Sequence, residues 1–328
     1  MSAGRGRIAL VFLFLSLALL LLLYWNLAAG TVLFSPGKLW ALLTSPGGTD
    51  PAASILFKIR LPRALMALLL GGALAVSGFL LQTYFANPIA GPFVLGVSSG
   101  ARLAVALCMM LFMAQNRALS SFALVFAAFL GSLVSLGILL AVSQRVRQMA
   151  GLLVAGIMIG YICSAATDFL LSFAADSEIV SLHSWSQGSF SGMSLAQVRT
   201  AAVLIGISAF ALLFLAKPLA AVQLGESYAE SLGVNVRRMR SALIILASLL
   251  AATVTAFAGP VSFVGVASPF LIQSLLKSNK PLLVLPASFL GGAVFCLASD
   301  LIARTAFQPT ELALSTVTSF FGAPIVLW

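Results

Sequence analysis

Charged side chains are scarce in this chain. They make up 8% of its 328 residues, whereas an ordinary soluble domain carries about 25%. Acidic residues number only eight, while 61% of the residues are hydrophobic and 24 are phenylalanine. A single water-facing globule cannot bury so much apolar surface, so the composition excludes a soluble enzyme and a disordered chain. At about 20 apolar residues per membrane crossing, it predicts an all-α integral membrane protein with about ten transmembrane helices.

Residues that bind metals or nucleotides are also few. The chain has one histidine, His183, and three cysteines that lie far apart in apolar segments. Neither a disulfide framework nor a Cys/His metal site is therefore predicted. The sequence contains no G-x-x-x-x-G-K-[ST] P-loop, because Gly37-Lys38 lacks the preceding glycine and the following hydroxyl. We expect this chain to bind no cofactor of its own.

Long apolar runs alternate with polar or Pro/Gly-rich breaks along the whole chain, 1–328, which we interpret as one transmembrane domain. Residues 36–43 favour a short helix at the membrane interface with Trp40 as an aromatic anchor. Residues 176–192 and 217–240 are predicted to be polar loops. The predicted spans lie near 8–28, 62–84, 93–114, 119–142, 150–174, 200–216, 241–258, 260–277, 281–303 and 309–328.

The net charge is +10. Basic residues of multi-span membrane proteins cluster in their cytoplasmic loops, so this excess does not indicate a nucleic-acid partner. With the N-terminus inside, ten basic residues fall on the cytoplasmic side and seven on the outer side. This balance favours a cytoplasmic N-terminus. The outer set includes Arg60, Arg63 and Arg304, against the general trend. Arg102 falls within a predicted span, and we assign it no role.

Acidic residues inside the predicted spans are few. Asp300 has the i, i+4 spacing to pair with Arg304. Asp168 is then the plausible mid-membrane carboxylate, and an ion-coupled secondary carrier, which would need no ATPase, stays open as an alternative. No nucleophile–base or metal constellation occurs, so we do not expect an enzyme.

The polar block at 217–240 contains the clearest local pattern. Ala229, Leu232 and Val236 recur at intervals of three and four, which predicts a short amphipathic helix. Gly233 suits the left-handed residue that ends such a helix. A short helix exposed on the cytoplasmic side is able to seat in a groove of another protein.

Several long motifs in one order identify a family resemblance. The chain resembles the permease subunits of type II ABC importers, the FecCD family, which moves iron-siderophores, haem and cobalamin. At 269–273 the family's P-H-L-x-R is PFLIQ, and at 311–315 its E-L-P-x-G is ELALS. The matching stretches are IRLPRALMALLLGGALAVSGFLLQTYFANPIAGPFVLGVSSGA (59–101), LGESYAESLGVNVRRMR (224–240), AGPVSFVGVASP (258–269), LASDLIAR (297–304) and FGAPIVLW (321–328).

The resemblance implies an architecture and a set of partners. The expected fold is the type II importer permease of ten transmembrane helices, in the bacterial cytoplasmic (inner) membrane. A second permease subunit, identical or different, would pack against it. Two ABC ATPase subunits, which use ATP and Mg²⁺, would dock on the cytoplasmic side, and an extracytoplasmic substrate-binding protein would deliver the cargo. The expected cargo is an iron(III)-siderophore or a related metal chelate, with haem or cobalamin as the alternative.

Three groups of candidate site residues follow. The resemblance implies ATPase coupling through Leu224, Gly225, Glu226, Ala229, Leu232, Gly233 and Val234. It also implies that Arg60, Arg63 and Arg304 pair with glutamates of the binding protein. Small polar groups are unusual in an apolar bundle and are predicted to line a translocation path, although hydrogen bonding between helices is an equally ordinary use for them. These path candidates are Ser77, Gln82, Asn87, Ser98, Ser99, Ser262 and Ser268.

Overall fold

The computed structural model of the chain describes residues 4–44, 50–113, 121–143, 145–146 and 149–327. These residues fold into helices and connecting turns. A π-helical stretch, Ile55–Arg60, joins α3 to α4, and a short 3₁₀ turn, Pro92–Leu95, precedes α5. The helices are α1 (Arg5–Ala28), α2 (Pro36–Thr44), α3 (Pro51–Ser54), α4 (Leu61–Phe85), α5 (Val97–Met113), α6 (Ser121–Ser143), α7 (Met149–Leu171), α8 (Asp176–Ser186), α9 (Leu195–Gln223), α10 (Glu226–Ser231), α11 (Val236–Ala258), α12 (Val264–Leu276), α13 (Pro281–Thr305) and α14 (Leu314–Leu327).

The described segments that correspond to the ten predicted spans fall into two length classes. Seven segments are long and apolar enough to cross a membrane: α1, the continuous 51–85 segment that ends in α4, α6, α7, α9, α11 and α13. The other three predicted spans correspond to shorter apolar helices, α5, α12 and α14. At 13 residues, α12 is only about 20 Å long and cannot cross the bilayer alone. The predicted span ends near residues 114 and 119 lie outside the described residues.

Helix α4 lies at the centre of the bundle, packed against α9, α11, α12 and α13. Glycines allow this close packing. A Cβ atom added at Gly71 would lie 2.5 Å from the carbonyl oxygen of Gly292 on α13. One added at Gly78 would lie 1.5 Å from the carbonyl oxygen of Gly265 on α12. Since neither site has room for a side chain, these glycines set the distance between the helices.

The tripeptide Ala-Gly-Pro occurs in two connections, at 90–92 between α4 and α5 and at 258–260 between α11 and α12. The first connection touches the start of α12, the helix that follows the second. A Cβ added at Gly91 would meet the Val266 side chain at 2.6 Å, and one added at Gly265 would meet Pro92 at 2.9 Å. The contact joins the α4–α5 connection to the first turn of α12.

Two of the predicted polar loops are wrong in part. Residues 176–186 form helix α8, whose Leu182 is buried and whose Glu178 carboxylate accepts the Ala175 N–H at 3.0 Å. A few apolar contacts and this N-terminal hydrogen bond support a helix that its polar composition obscures. Helix α9 also extends through Pro218 to Gln223, because proline removes one hydrogen bond but does not oblige a long helix to end. The predicted short helix at 36–43 is present as α2, with Trp40 72% exposed.

Candidate functional site

The docking and coupling candidates lie at two opposite ends of the bundle. Arg63 lies in the first turn of α4, while the last turn of α4 contains Thr83. Gln223 donates from Nε2 to Thr83 Oγ1 at 3.4 Å, and Gln223 ends α9 just before α10. Since α4 has 25 residues, its ends are about 37 Å apart. We call them the arginine end and the α10 end.

At the arginine end, Arg60 binds the last turn of α1. Its Nη1 donates to the carbonyl oxygens of Leu27 at 2.8 Å and Ala28 at 2.9 Å, and its Nη2 donates to that of Val32. The guanidinium also lies over the Phe34 ring, 4.3 Å from its centroid. Arg60 is only 6% exposed. These bonds satisfy carbonyl groups that the end of a helix leaves without partners, and the positive charge complements the helix dipole.

Arg304, in the last turn of α13, binds the same end of α1. Its Nη1 donates to the Ala29 carbonyl at 2.7 Å, and its Nη2 donates to the Asn26 carbonyl at 2.7 Å. The Asn26 side chain in turn donates to the Leu297 carbonyl at 3.1 Å. Two arginines on different helices thus fix the end of α1 to the core of the bundle.

Arg63 forms the third part of this cluster and binds two carboxylates. Its Nε lies 3.0 Å from both carboxylate oxygens of Asp300, and its Nη2 lies 2.9 Å from Oδ1. The Glu311 carboxylate binds the Nη1/Nη2 edge of the same guanidinium. The Asp300 side chain is 2% exposed and that of Glu311 is 41% exposed. The Asp300–Arg304 pair predicted from the i, i+4 spacing is present at 3.6 Å. We call Arg60, Arg63, Arg304, Asp300 and Glu311 the arginine cluster.

The structure brings the three predicted docking arginines together, but it also supplies each with partners inside the chain. The Asp300–Arg304 pair was predicted from its spacing, whereas the backbone carbonyls that bind Arg60 and Arg304 leave no sequence signal. The pairing of Arg63 with Asp300 and Glu311 was not predicted, although Glu311 lies in a quoted family motif. A role of Arg60, Arg63 and Arg304 in docking stays a prediction.

At the α10 end, the predicted coupling segment forms one short helix between α9 and α11. Ala229 is fully buried, whereas Leu224 and Leu232 are 72% and 60% exposed. Gly233 has the expected left-handed conformation, φ 81°, and follows the C-cap residue Leu232. The N–H of Val234 returns to the Ala229 carbonyl at 3.0 Å and closes the turn.

One detail of the predicted coupling helix is wrong. Ala229, Leu232 and Val236 do not share a helix face, because α10 ends at Ser231 and Val236 begins α11. The left-handed Gly233 separates the two helices. Glu226 begins α10 after Gly225, whose φ of 128° is one that other residues rarely adopt. The exposed large apolar side chains of this segment, Leu224, Tyr228 and Leu232, therefore lie on and beside α10 and do not form one helical stripe.

Most of the predicted path residues in the core bond to neighbouring helices. Ser77 donates to the Ala247 carbonyl at 2.6 Å. Ser98 Oγ and Thr255 Oγ1 are 3.4 Å apart. Gln82 Nε2 donates to the Val266 carbonyl at 3.1 Å. These contacts favour hydrogen bonding between helices, the alternative use of small polar groups in an apolar bundle.

The other path candidates have looser surroundings. Asn87 accepts the Ile89 N–H at 3.1 Å in the turn after α4. Ser99 and Ser262 are half-buried. The hydroxyl of Ser268 is buried, with no hydrogen-bond partner among the described residues. Elsewhere, an open groove of about 540 Å³ is lined by α14 residues Ser315, Thr316, Ser319 and Phe320, and it includes none of the path candidates.

Two departures from the family motifs have local compensations. Gln273 stands where the motif has arginine, and its Nε2 donates to Gln82 Oε1 at 3.2 Å. Ser315 stands where the motif has glycine, and its hydroxyl donates to the Pro260 carbonyl at 2.7 Å. Both substitutions thus add a hydrogen bond between helices or their connecting segments. Arg102 has a buried Nε without a hydrogen-bond partner in the described part of the chain.

In the described part of the chain, seven membrane-crossing segments and three shorter apolar helices form one helical bundle, which defines the class as a multi-pass membrane protein. Comparison with known proteins then gives the family. Residues 18–328 match the FecCD transport family. The chain belongs to this family and is a transmembrane permease of the ABC importer type.

Relatives and a solved structure agree with this assignment. The chain is 35% identical over 300 residues to the hemin transport system permease protein HmuU of Yersinia pestis, covering 91% of this chain and 88% of the relative. It is 35% identical over 286 residues to the vitamin B12 import system permease protein BtuC of Citrobacter koseri, covering 87% and 85%. A solved metal-chelate type ABC transporter in an inward-facing conformation superposes with a TM-score of 0.84, at 28% identity and 97% coverage of both chains.

Proposed function

We propose that this chain is the permease subunit of an importer that carries a metal chelate across the bacterial cytoplasmic membrane, driven by ATP. The observation that carries the proposal is the separation of two candidate protein-binding regions. The arginine cluster and α10 lie at opposite ends of α4, about 37 Å apart. An importer of this kind needs one surface for the substrate-binding protein outside and one for the ATPase inside.

The α10 end is the proposed cytoplasmic face. Helix α1 ends at the arginine cluster, so its first residues lie toward the α10 end. Arg7 Nε donates there to the Leu275 carbonyl, in the last turn of α12, at 2.7 Å. The N-terminus is therefore cytoplasmic in this proposal. The basic residues Arg237 and Arg238, exposed in the first turn of α11, agree with the excess of positive charge on that side of bacterial membrane proteins.

Coupling to the ATPase is proposed to use the exposed edges of α10. Leu224, Tyr228 and Leu232 are each more than half exposed, and buried Ala229 holds the short helix against its neighbours. Exposed apolar side chains on a rigid turn are suited to a groove in a partner protein. ATP and Mg²⁺ are proposed to bind in two ATPase subunits, and this chain binds no cofactor. A second permease subunit, a copy of this chain or a related one, completes the complex.

The proposed cargo class is a metal chelate. The relatives named for hemin and for vitamin B12 are equally similar to this chain, at 35% identity, and both compounds are metal-containing macrocycles. The solved metal-chelate transporter points to the same class. An iron(III)-siderophore is the first candidate, with haem and cobalamin as the alternatives. Identification of the chelate that stays bound to the system's binding protein during purification distinguishes the three.

Association with the ATPase tests the assignment of the α10 end. Leu232→Glu places a charge on an exposed edge of α10, so we expect it to reduce co-purification of the ATPase or to uncouple ATP hydrolysis from uptake. Leu33→Glu is the matched control, because Leu33 is 75% exposed but adjoins Val32 at the arginine end. Normal ATPase association and coupled transport in Leu232→Glu would contradict the proposal, as would equal losses in both variants.

A further inference from the structure

The arginines of the cluster differ in whether a partner protein could replace their present contacts. Arg60 and Arg304 direct their guanidinium groups at backbone carbonyls of α1 and the residues after it. Arg60 is 6% exposed, and the Arg304 side chain is 11% exposed. A partner that claimed these donors would release the end of α1 and leave several carbonyl groups unpaired in the interior, which is costly.

Arg63 differs because its guanidinium binds one carboxylate on each of two edges. A guanidinium offers a side-on edge, Nε with one Nη, and an end-on edge formed by both Nη groups. Asp300 fills the side-on edge, with distances of 2.9 and 3.0 Å. Glu311 fills the end-on edge, where Nη1 lies 3.4 Å from its Oε2. The two edges therefore have separate occupants.

The two carboxylates differ sharply in exposure. Asp300 is 2% exposed and lies within α13, whereas Glu311 is 41% exposed and lies in the connection between α13 and α14. The Arg63 side chain is 12% exposed, so Glu311 forms the solvent-facing side of the pair, where water and salt screen a charge more than in the interior. Glu311 can therefore leave Arg63 at lower cost than Asp300, which continues to neutralise the guanidinium inside the bundle.

We propose that Glu311 occupies the end-on edge of Arg63 until the substrate-binding protein docks. A carboxylate of the binding protein then displaces Glu311 from this edge. This inference rests on the proposed docking function of the arginine end and adds its regulation. Arg63 is the arginine that contacts the partner, and Arg60 and Arg304 hold the end of α1 in place beside it. Docking in this scheme exchanges one Arg–carboxylate pair for another, so the number of ionic bonds to Arg63 is conserved.

Equilibrium docking measurements on the complete transporter in nanodiscs test the exchange. The probe is the purified substrate-binding protein of the same transport system, and Kd is measured across a salt series. Glu311→Gln removes the internal competitor, so we expect docking to become about two- to fivefold tighter, as displacement of an exposed ion pair allows. Asp50→Asn is the matched control. It removes another acidic group at the arginine end, one that is 47% exposed, and asparagine keeps the N-cap of α3.

Each outcome has a defined meaning. Unchanged or weaker docking in Glu311→Gln overturns the exchange, and so does an equal gain in Asp50→Asn, which would reflect general repulsion of an acidic partner. Arg63→Ala tests the proposed function separately, with an expected loss of docking of tenfold or more. If Arg63→Ala weakens docking and Glu311→Gln has no effect, only the exchange fails. If Arg63→Ala has no effect, the docking function assigned to this arginine fails as well. A gain in Glu311→Gln that needs anionic lipid would assign the exchange to a lipid phosphate and contradict the proposal.

Discussion

Asp300→Asn is the most informative single substitution for stability, because one buried carboxylate neutralises two arginines. Its side chain is 2% exposed, bonded to Arg63 at 2.9 Å and 3.6 Å from Arg304. Asparagine keeps the volume but removes the charge. Both guanidinium groups would then lie in the bundle with less compensation, and breaking a buried ion pair costs about 3–5 kcal/mol.

The expected loss is smaller than that upper figure for two structural reasons. The asparagine amide oxygen can still accept a hydrogen bond from Arg63 Nε, which contributes about 1 kcal/mol. Glu311 remains on the other edge of Arg63, but at 41% exposure its contribution is about 0–1 kcal/mol. We therefore expect Asp300→Asn to lower the free energy of unfolding by about 2–4 kcal/mol.

Denaturation of the purified protein in mixed micelles, followed by tryptophan fluorescence, measures this loss. Glu311→Gln is the internal comparison and should change the free energy of unfolding by less than about 1 kcal/mol. The reasoning is refuted if Asp300→Asn is as stable as the unmodified chain. It is also refuted if Glu311→Gln loses more than Asp300→Asn, because exposure would then not determine the cost.

Further variants probe the packing, the end of α1 and the path. Gly78→Ala should destabilise the bundle by at least about 1–3 kcal/mol, since its Cβ would overlap the Gly265 carbonyl; Gly206→Ala in α9, which has open space around it, should fold normally in the same assay. Arg60→Lys keeps the charge but not the planar fork over several carbonyls, and should lower the free energy of unfolding by about 1–2 kcal/mol. Cysteines at half-buried Ser99 and Ser262 should react with water-soluble thiol reagents to an extent that changes with ATP, whereas cysteines at Ser77 and Ser98 should stay inert; uniform inertness would favour packing at all four positions.

The sequence predicted the apolar helices because each apolar run leaves a local signal. Even the short helices α12 and α14 follow apolar stretches bounded by Gly or Pro. The prediction of polar loops failed where local composition does not determine the secondary structure. Helix α8 is polar yet contains buried Leu182, and α9 continues through Pro218. Both outcomes depend on tertiary contacts or helix length, which a local pattern does not encode.

The candidate sites were predicted to different depths. Gly233 was predicted to end the coupling helix because a left-handed position favours glycine, and the structure has it at φ 81°. The positions of Arg60 and Arg304 at one end of the bundle followed from the order of the spans. Their bonds to the Leu27 and Ala29 carbonyls join residues 33 and 275 positions apart, and any residue type can supply such a carbonyl. The sequence therefore revealed which residues carry charge there, but not which groups bind them.

ATP-driven uptake by the complete transporter in proteoliposomes tests the central claim most directly. The permease is reconstituted with its ATPase and substrate-binding protein, and entry of the chelate that this binding protein retains is followed over time. We predict that uptake needs ATP on the side of the membrane that carries the ATPase and the binding protein on the opposite side. We also predict that uptake continues when an uncoupler removes the ion gradients. Uptake that survives ATP depletion but stops with the uncoupler would contradict the account and identify an ion-coupled carrier, for which Asp168 is the candidate carboxylate.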